Sequence, residues 1–164
     1  MEKTSLKELY IAQRGLDDTI HKNHGVSYEN TFERRTLALF VEIGEFANTT
    51  RCFKYWSNKG AESKDVVLDE YADGLHFFLS LGIIIGSPKM DYEISKPDND
   101  LSDQFLKLYK EIAIFKDEPT EDNFEQAFST FFNILPLIGY TYKDLEEAYY
   151  KKLGTNYVRQ ETNY

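Results

Sequence analysis

The chain has 164 residues, with 28 acidic against 19 basic side chains and a net charge of −9. This length allows one domain with a sizeable core, and the negative charge argues against a general binder of nucleic acids or anionic membranes. Cys52 is the only cysteine, so no disulfide can form within the chain. No apolar stretch is long enough to span a bilayer and the first residues form no signal core, so we expect a cytoplasmic protein.

Helical patterns follow one another along the chain. Residues 5–8 have the pattern of a capping box, which predicts a first helix ending at Gly25. Further helices are predicted over residues 31–56, 63–86, 101–116, 121–138 and 141–153. Pro136 should kink or end the fifth helix. Residues 88–100 are predicted to form an irregular connector, and residues 154–164 a polar tail.

These patterns predict an all-α fold, with one compact domain over residues 1–153 and a tail over 154–164. Its centre should be the helix pair 31–56 and 63–86, antiparallel because the connector between them is short. An apolar set on the second of these helices suggests burial against a partner chain in a dimeric bundle. That set comprises Phe77, Phe78, Leu81 and residues 83–85.

Two carboxylate pairs lie in otherwise apolar parts of this helix pair. Glu42 and Glu45 are spaced i, i+3, as are Glu70 and Asp73, so each pair shares one helix face. Four acids at the edge of a core repel one another and are costly to desolvate unless a cation lies among them. Ligation by oxygen alone favours Mg²⁺, or Mn²⁺ in its place, over zinc. The alternative, solvated acids on an exposed face, fits the apolar flanking residues poorly.

Two other features admit more than one interpretation. Lys54 and Trp56 suit a nucleotide, since a lysine offsets phosphate charge and an indole stacks on a sugar or base, but they equally suit an amphipathic helix. His76 follows Asp73 by one turn, close to the carboxylate–His pattern of di-iron bundles, yet the chain has no second such motif. We therefore expect His76 to bond to an acid or a nucleotide, or to be a core histidine.

Taken together, several motifs resemble the dimeric all-α deoxyuridine triphosphatases, which occur in bacteria, their phages and trypanosomatids. These enzymes are relatives of the MazG-like NTP pyrophosphatases. The helical motifs are Glu42-x-x-Glu45, Cys52-Phe53-Lys54-Tyr55-Trp56 and Glu70-x-x-Asp73-Gly-Leu-His76-Phe77. The tail pattern is similar to that family's phosphate-binding signature and includes Tyr149, Lys152, Asn156, Arg159, Gln160 and Tyr164. Near the start, Gln13-x-x-Leu16-Asp17 is similar to the family's uracil-facing segment.

The resemblance implies Mg²⁺-dependent hydrolysis of dUTP to dUMP and pyrophosphate by a homodimer. Its implied metal ligands are Glu42, Glu45, Glu70 and Asp73, and a glutamate of the first pair, chiefly Glu45, would position or deprotonate the attacking water. Gln13 would read the uracil edge. The remaining implied substrate contacts are Asp17, Lys54, Trp56, His76, Phe77, Lys152, Asn156 and Arg159. Departures from the family pattern are Asp17, where an amide is frequent, Leu153, where Asn often follows the Lys, and Asn163, where Gly often precedes the final Tyr.

Two alternatives stay open at this point. The amide of Gln13 can present either a donor or an acceptor to a base, so dCTP or a broader set of dNTPs is a second candidate substrate. A helical dimer that binds a partner protein in a nucleotide-gated manner, without turnover, is the third candidate. The sequence has no partner-binding motif, and the intact acids favour catalysis.

Overall fold

The computed structural model describes residues 2–162 and confirms the predicted all-α class. The helices are α1 (Lys7–His24), α2 (Phe32–Thr50), α3 (Lys64–Ile85), α4 (Leu101–Asp117), α5 (Glu121–Phe132), α6 (Leu135–Ile138) and α7 (Tyr142–Glu161). Two short strands, β1 (Glu2–Lys3) and β2 (Glu93–Ile94), pair antiparallel with Glu2 opposite Ile94. The predicted irregular connector 88–100 therefore contains a strand. Within residues 2–162, no helix is both long and apolar enough to cross a membrane.

The centre of the fold is the pair α2 and α3. Phe46 stacks on Tyr71 with ring centroids 4.1 Å apart, and Ile43 lies beside Gly74. Residue numbers therefore rise along α2 as they fall along α3, which confirms the predicted antiparallel pair. α3 also packs against α1, α5 and α7, so it is enclosed on several sides and positions the groups of the site.

Aromatic rings fill the space between α3 and α5. Phe78 of α3 stacks on Phe128 of α5 with ring centroids 4.7 Å apart. Gly82 is required where neighbouring helices approach α3, since a Cβ there would lie 2.9 Å from Phe124 and closer still to the Tyr10 hydroxyl. Close packing of this kind leaves no room for even one additional methyl group.

The apolar set that was expected to face a partner packs largely within the chain. Phe78 and Leu81 are fully buried, and Phe77 and residues 83–85 are partly buried against the core. The expectation of partner burial is therefore wrong for Phe78 and Leu81. The physical reason for Phe78 is that the aromatic residues of α5 cover this side of α3, a long-range contact that helical periodicity does not predict.

α2 is shorter than the sequence predicts. It ends at Thr50 instead of Trp56, because Arg51 adopts a left-handed φ of 58° and its N–H bonds to the Asn48 carbonyl. Lys54 and Trp56 therefore lie in the turns after the helix, and neither continues the helical face that carries the acids.

α7 is longer than the sequence predicts. It runs through Glu161, so the predicted helix end near residue 153 is wrong, and the polar segment that follows is helical as far as Glu161. Packing against α1 and α3 offsets the intrinsic cost of Gly154 within the helix. At its far end, Gln160 Oε1 accepts a hydrogen bond from His24 Nε2 at 3.1 Å.

Other predicted element boundaries had mixed outcomes. The capping box at residues 5–8 is wrong, since α1 begins without a side-chain cap and Thr4 instead donates to the Met90 carbonyl at 3.0 Å. The helix predicted over residues 121–138 is interrupted ahead of Pro136, since α5 stops at Phe132 and Pro136 lies in the first turn of the short α6. Asn163 and Tyr164, which belong to the predicted phosphate-binding pattern, lie outside the described residues.

Candidate active site

Four carboxylates converge between α2 and α3. Glu42 and Glu45 of α2 face Glu70 and Asp73 of α3, and one oxygen of each carboxylate lies within 4.8 Å of the others. The i, i+3 spacing puts each pair on one face, and the antiparallel packing brings the two faces together. The acids therefore form a single cluster, as their spacing predicts, and His76 is not a member of it.

Repulsion and burial both act on this acid cluster. Burial raises the pKa of Glu42 to about 8, and the charges of Asp73 and Glu45 add to the increase. Burial raises the pKa of Glu70 to about 7, with Asp73 again contributing. The pKa of Asp73 is also raised by burial, although the nearby Lys152 opposes this shift. Holding all four groups ionised thus requires additional positive charge.

The acid cluster fits a hard divalent cation. Glu42 Oε2 and Glu70 Oε2 are buried and have no hydrogen-bond partner among residues 2–162. Buried acceptors need a donor or a cation, and an unpaired one is costly. Ligands that are all carboxylate oxygens suit Mg²⁺ or Mn²⁺ better than zinc.

Lys152 of α7 lies beside the acid cluster. Its Nζ donates to Asp69 Oδ2 at 2.9 Å and is 3.3 Å from Asp73 Oδ1. Burial opposes ionisation of this amine, but the hydrogen bond to Asp69 and the charge of Asp73 together raise the pKa of Lys152. The lysine thus already neutralises part of the cluster, and the phosphate contact implied by the resemblance stays a prediction.

A cavity of about 580 Å³ opens next to the acid cluster, large enough for a nucleotide-sized ligand. The predicted site residues along its wall are Gln13, Asp17, Glu42, Asp73, His76, Phe77, Asn156 and Arg159. Lys54, Trp56 and Lys152 do not line this cavity, and Trp56 is 64% exposed. Most of the predicted contacts are therefore brought together around the cavity, but those three are not.

Several lining residues were missed in the sequence, and two of them carried a detectable signal. Arg35 precedes Glu42 by seven residues and Ser80 follows Asp73 by seven, and both line the cavity. Seven residues are close to two helical turns, so each lies on the same helix face as the acid. The other missed residues include His24 and Arg34, whereas Gln160, which belongs to the predicted tail pattern, also lines the cavity. The arginines supply positive charge beside an otherwise acidic site.

Asp17 is the centre of a buried hydrogen-bond network on the cavity wall. Its Oδ1 accepts a hydrogen bond from Gln13 Nε2 at 2.9 Å. Its Oδ2 accepts from Ser80 Oγ at 2.6 Å and from the Tyr28 hydroxyl at 2.9 Å. Arg35 Nη2 lies 3.7 Å from Asp17 Oδ1. The carboxylate is therefore surrounded by donors from α1, α2, α3 and the loop before α2.

Gln13 extends this network to His76. Gln13 Oε1 accepts a hydrogen bond from the Tyr149 hydroxyl at 2.9 Å and lies 2.6 Å from His76 Nδ1. The ring centroids of His76 and Tyr149 are 4.4 Å apart. Burial lowers the pKa of His76 to about 3, with the charge of Lys152 contributing, so the imidazole is neutral at neutral pH.

An all-α fold that places an acid cluster able to hold a divalent cation beside a nucleotide-sized cavity suits phosphate chemistry. Comparison with known families makes this more specific: the dUTPase family model matches residues 5–164, and the chain belongs to this all-α dUTPase family. The match supports hydrolysis of dUTP, a dUTP diphosphatase reaction, as its activity. The family generally uses a divalent metal, and the acid cluster could bind one. Among curated proteins, no match was found.

Proposed function

We propose that the chain is a Mg²⁺-dependent, cytoplasmic dUTPase that releases dUMP and pyrophosphate, with Mn²⁺ as an alternative ion. The observation that carries this proposal is that Glu42 and Asp73 belong both to the acid cluster and to the cavity wall. A nucleotide whose phosphates meet the acid cluster through a cation can therefore place its nucleoside in the cavity. The unpaired Cys52 suits a reducing compartment.

Glu42, Glu45, Glu70 and Asp73 would hold the ion. When bound, Mg²⁺ would neutralise charge on the phosphates and lower the pKa of an attacking water. Glu45 is the exposed member of the four, so its carboxylate can reach solvent and accept a proton from water that attacks the α-phosphate. Glu42 is the second candidate for this role, and its burial beside Glu45 suits it to orient the exposed carboxylate.

The cavity residues would bind the substrate. Asn156 and Arg159 of α7 face the cavity and would contact phosphates, and Phe77 would form an apolar wall against the nucleoside. Lys54 and Trp56 lie outside the cavity wall. Their contacts stay predictions.

Pyrophosphate release should be measured for dUTP, dCTP, dTTP, dATP, dGTP and UTP, with Mg²⁺ and with excess chelator. We expect rapid turnover of dUTP with Mg²⁺ and none with chelator, because the phosphates require neutralisation before water can attack them. Preference for dCTP, or equal use of several dNTPs, would contradict the base assignment. Tight dUTP binding without turnover would instead favour the nucleotide-gated protein-binding module.

We also propose that the chain forms a homodimer. Leu37 and Val41 lie one turn apart on α2 and are 63% and 51% exposed, and Tyr55 and Trp56 add exposed aromatic surface after the same helix. Neighbouring exposed apolar side chains of this kind favour burial between two copies. Sedimentation at several concentrations should give twice the chain mass of 19.2 kDa. A monomer at every concentration would contradict the proposal.

A further inference from the structure

We propose that the loop between α1 and α2 is a pH-sensitive part of the cavity wall, attached to both helices while His21 is neutral and detached when its imidazole gains a proton. This wall loop comprises residues 25–31, and its Val26 and Thr31 line the cavity. No residue of the wall loop belongs to the acid cluster. Attachment of the loop does not depend on the proposed function, and only the effect of its detachment on nucleotide affinity rests on that function.

Tyr28 attaches the middle of the wall loop. Its hydroxyl donates a hydrogen bond to Asp17 Oδ2 at 2.9 Å. Its ring meets the His21 ring edge to face, with centroids 4.6 Å apart. The guanidinium carbons of Arg35 and Arg14 lie 4.9 Å and 5.7 Å from the Tyr28 ring centroid, within range of a cation–π contact. Side chains of both α1 and α2 thus hold the loop.

Arg35 connects the wall loop to His21. Its Nη1 donates to the Thr31 hydroxyl, and its Nη2 lies 2.8 Å from His21 Nε2. Nη2 also lies 3.7 Å from Asp17 Oδ1. Because Arg35 is only 8% exposed, its guanidinium depends on such partners in place of water. A change at His21 therefore acts on a cation that contacts both Tyr28 and Thr31 of the loop.

The contact between Arg35 and His21 requires a neutral imidazole. A guanidinium has only donors and keeps its proton in proteins, so His21 Nε2 must be the acceptor in this pair. An imidazolium carries a proton on each ring nitrogen and has no acceptor to offer. Protonation of His21 therefore converts the hydrogen bond into a contact between two cations, which repel each other.

Charged and titratable groups from three parts of the chain face His21. Burial lowers the pKa of His21 from its ordinary value of 6.5, and the charge of Arg35 on α2 lowers it further. Asp17 and Asp18 on α1 itself oppose this shift without cancelling it. Tyr28 of the wall loop is neutral, since burial raises the pKa of its hydroxyl. The imidazole is therefore neutral at neutral pH, as its contact with Arg35 requires.

Detachment of the loop is consequently coupled to proton uptake. A detached loop exposes His21 and separates it from Arg35, so the pKa of the imidazole returns towards 6.5. Because the attached state binds fewer protons, its stability is fully present above about pH 6.5 and decreases as pH falls below that value. Val26 and Thr31 then leave the cavity wall, which weakens nucleotide binding.

The protonation state of His21 is measured by ¹⁵N NMR of the histidine-labelled full chain from about pH 8 to about pH 5. The His21 signals are identified by their loss in His21→Gln. We expect a neutral imidazole protonated at Nδ1 and a pKa below the ordinary value of about 6.5. A neutral form protonated at Nε2, or a pKa at or above about 6.5, would overturn the proposal.

Attachment of the loop is measured by amide hydrogen exchange over residues 25–31 in the nucleotide-free protein, corrected for the intrinsic pH dependence of exchange. Wild type should lose about tenfold in protection between about pH 7.5 and about pH 5, the scale of losing a hydrogen bond made by a charged group. His21→Gln should keep its protection over this range, because the glutamine oxygen can replace Nε2 as acceptor and does not titrate. An equal loss of protection in wild type and His21→Gln would contradict the proposed role of His21.

Two further variants separate protonation of His21 from general damage to this helix end. His21→Lys places a permanent cation beside Arg35, so the loop should be detached even at about pH 7.5. His24→Gln makes the matched substitution at the neighbouring histidine, which bonds to Gln160, and it should keep the wild-type pH dependence of exchange. A fully protected loop in His21→Lys, or loss of the pH dependence in His24→Gln, would count against the proposal.

The effect on the cavity is measured as the dUMP affinity of wild type relative to that of His21→Gln at the same pH, so that titration of dUMP and of the acid cluster cancels. The two affinities should be equal at about pH 7.5, and wild type should bind about tenfold more weakly at about pH 5. A constant ratio in protein whose loop detaches would overturn the link to nucleotide binding. Because detachment is measured without nucleotide, absence of both dUTP turnover and dUMP binding would overturn the proposed function alone.

Discussion

Glu45→Gln should slow dUTP hydrolysis by at least about a hundredfold, the usual scale for loss of a general base. Glutamine keeps the volume and a hydrogen-bonding group but removes the carboxylate that would ligate the ion and accept the proton. The metal-free variant should melt no lower than wild type, because Glu45 is exposed and removing one of four neighbouring charges relieves repulsion in the acid cluster.

The measurements are pyrophosphate release with Mg²⁺ and thermal melting with chelator. Glu33→Gln is the matched control, since Glu33 is exposed on the same helix and lies outside the acid cluster. It should retain the wild-type rate and melting temperature. Near-normal turnover of Glu45→Gln with a lowered melting temperature would make Glu45 a stability residue and contradict its assignment to the site.

The second large effect should be a pH dependence of metal binding. The pKa values of Glu42 and Glu70 rise from 4.5 to about 8 and about 7, chiefly through burial, so the folded chain binds more protons than the unfolded chain across this range. The stability contributed by these two groups is therefore present at low pH and is lost as pH rises from about 4.5 to about 8. Mg²⁺ should reverse this loss, since it replaces the protons as the source of positive charge.

Binding of Mg²⁺ near neutral pH should accordingly release about one proton per ion, and the affinity should rise with pH. Titration calorimetry in buffers of different ionisation enthalpy measures the released protons directly. Glu42→Gln should bind Mg²⁺ more weakly and release fewer protons, because it lacks the carboxyl with the higher pKa. An Mg²⁺ affinity that is the same at about pH 6 and about pH 8 would contradict this linkage.

The acid cluster could be predicted because its information is local. The i, i+3 spacing of each carboxylate pair and the apolar residues around it specify two acidic helix faces, and a connector of limited length requires the helices to return antiparallel. Gly25 likewise ends α1 through a left-handed conformation that its own backbone readily adopts, and Pro136 begins a new short helix instead of continuing α5.

The helix ends beside the site were not predictable in the same way. α2 stops early because Arg51 takes a left-handed conformation that its side chain does not favour, and α7 continues past Gly154 because packing against α1 and α3 outweighs a local preference. The sequence predicts that Phe78 faces a partner chain, but in the structure Phe128 of α5 packs against it. For α7 and for Phe78, a distant contact overrides the local signal.

The residues alone therefore specified the helical class, the antiparallel helix pair and the acids that would hold the cation. The buried hydrogen-bond network on the cavity wall depended on the assembled fold, because Gln13 meets His76 across 63 positions of the chain and Tyr149 across 136. Hydrogen bonds between such distant residues leave no periodic pattern in a sequence. The partners of the buried Gln13 amide are set only when the packed helices determine which donor faces which acceptor.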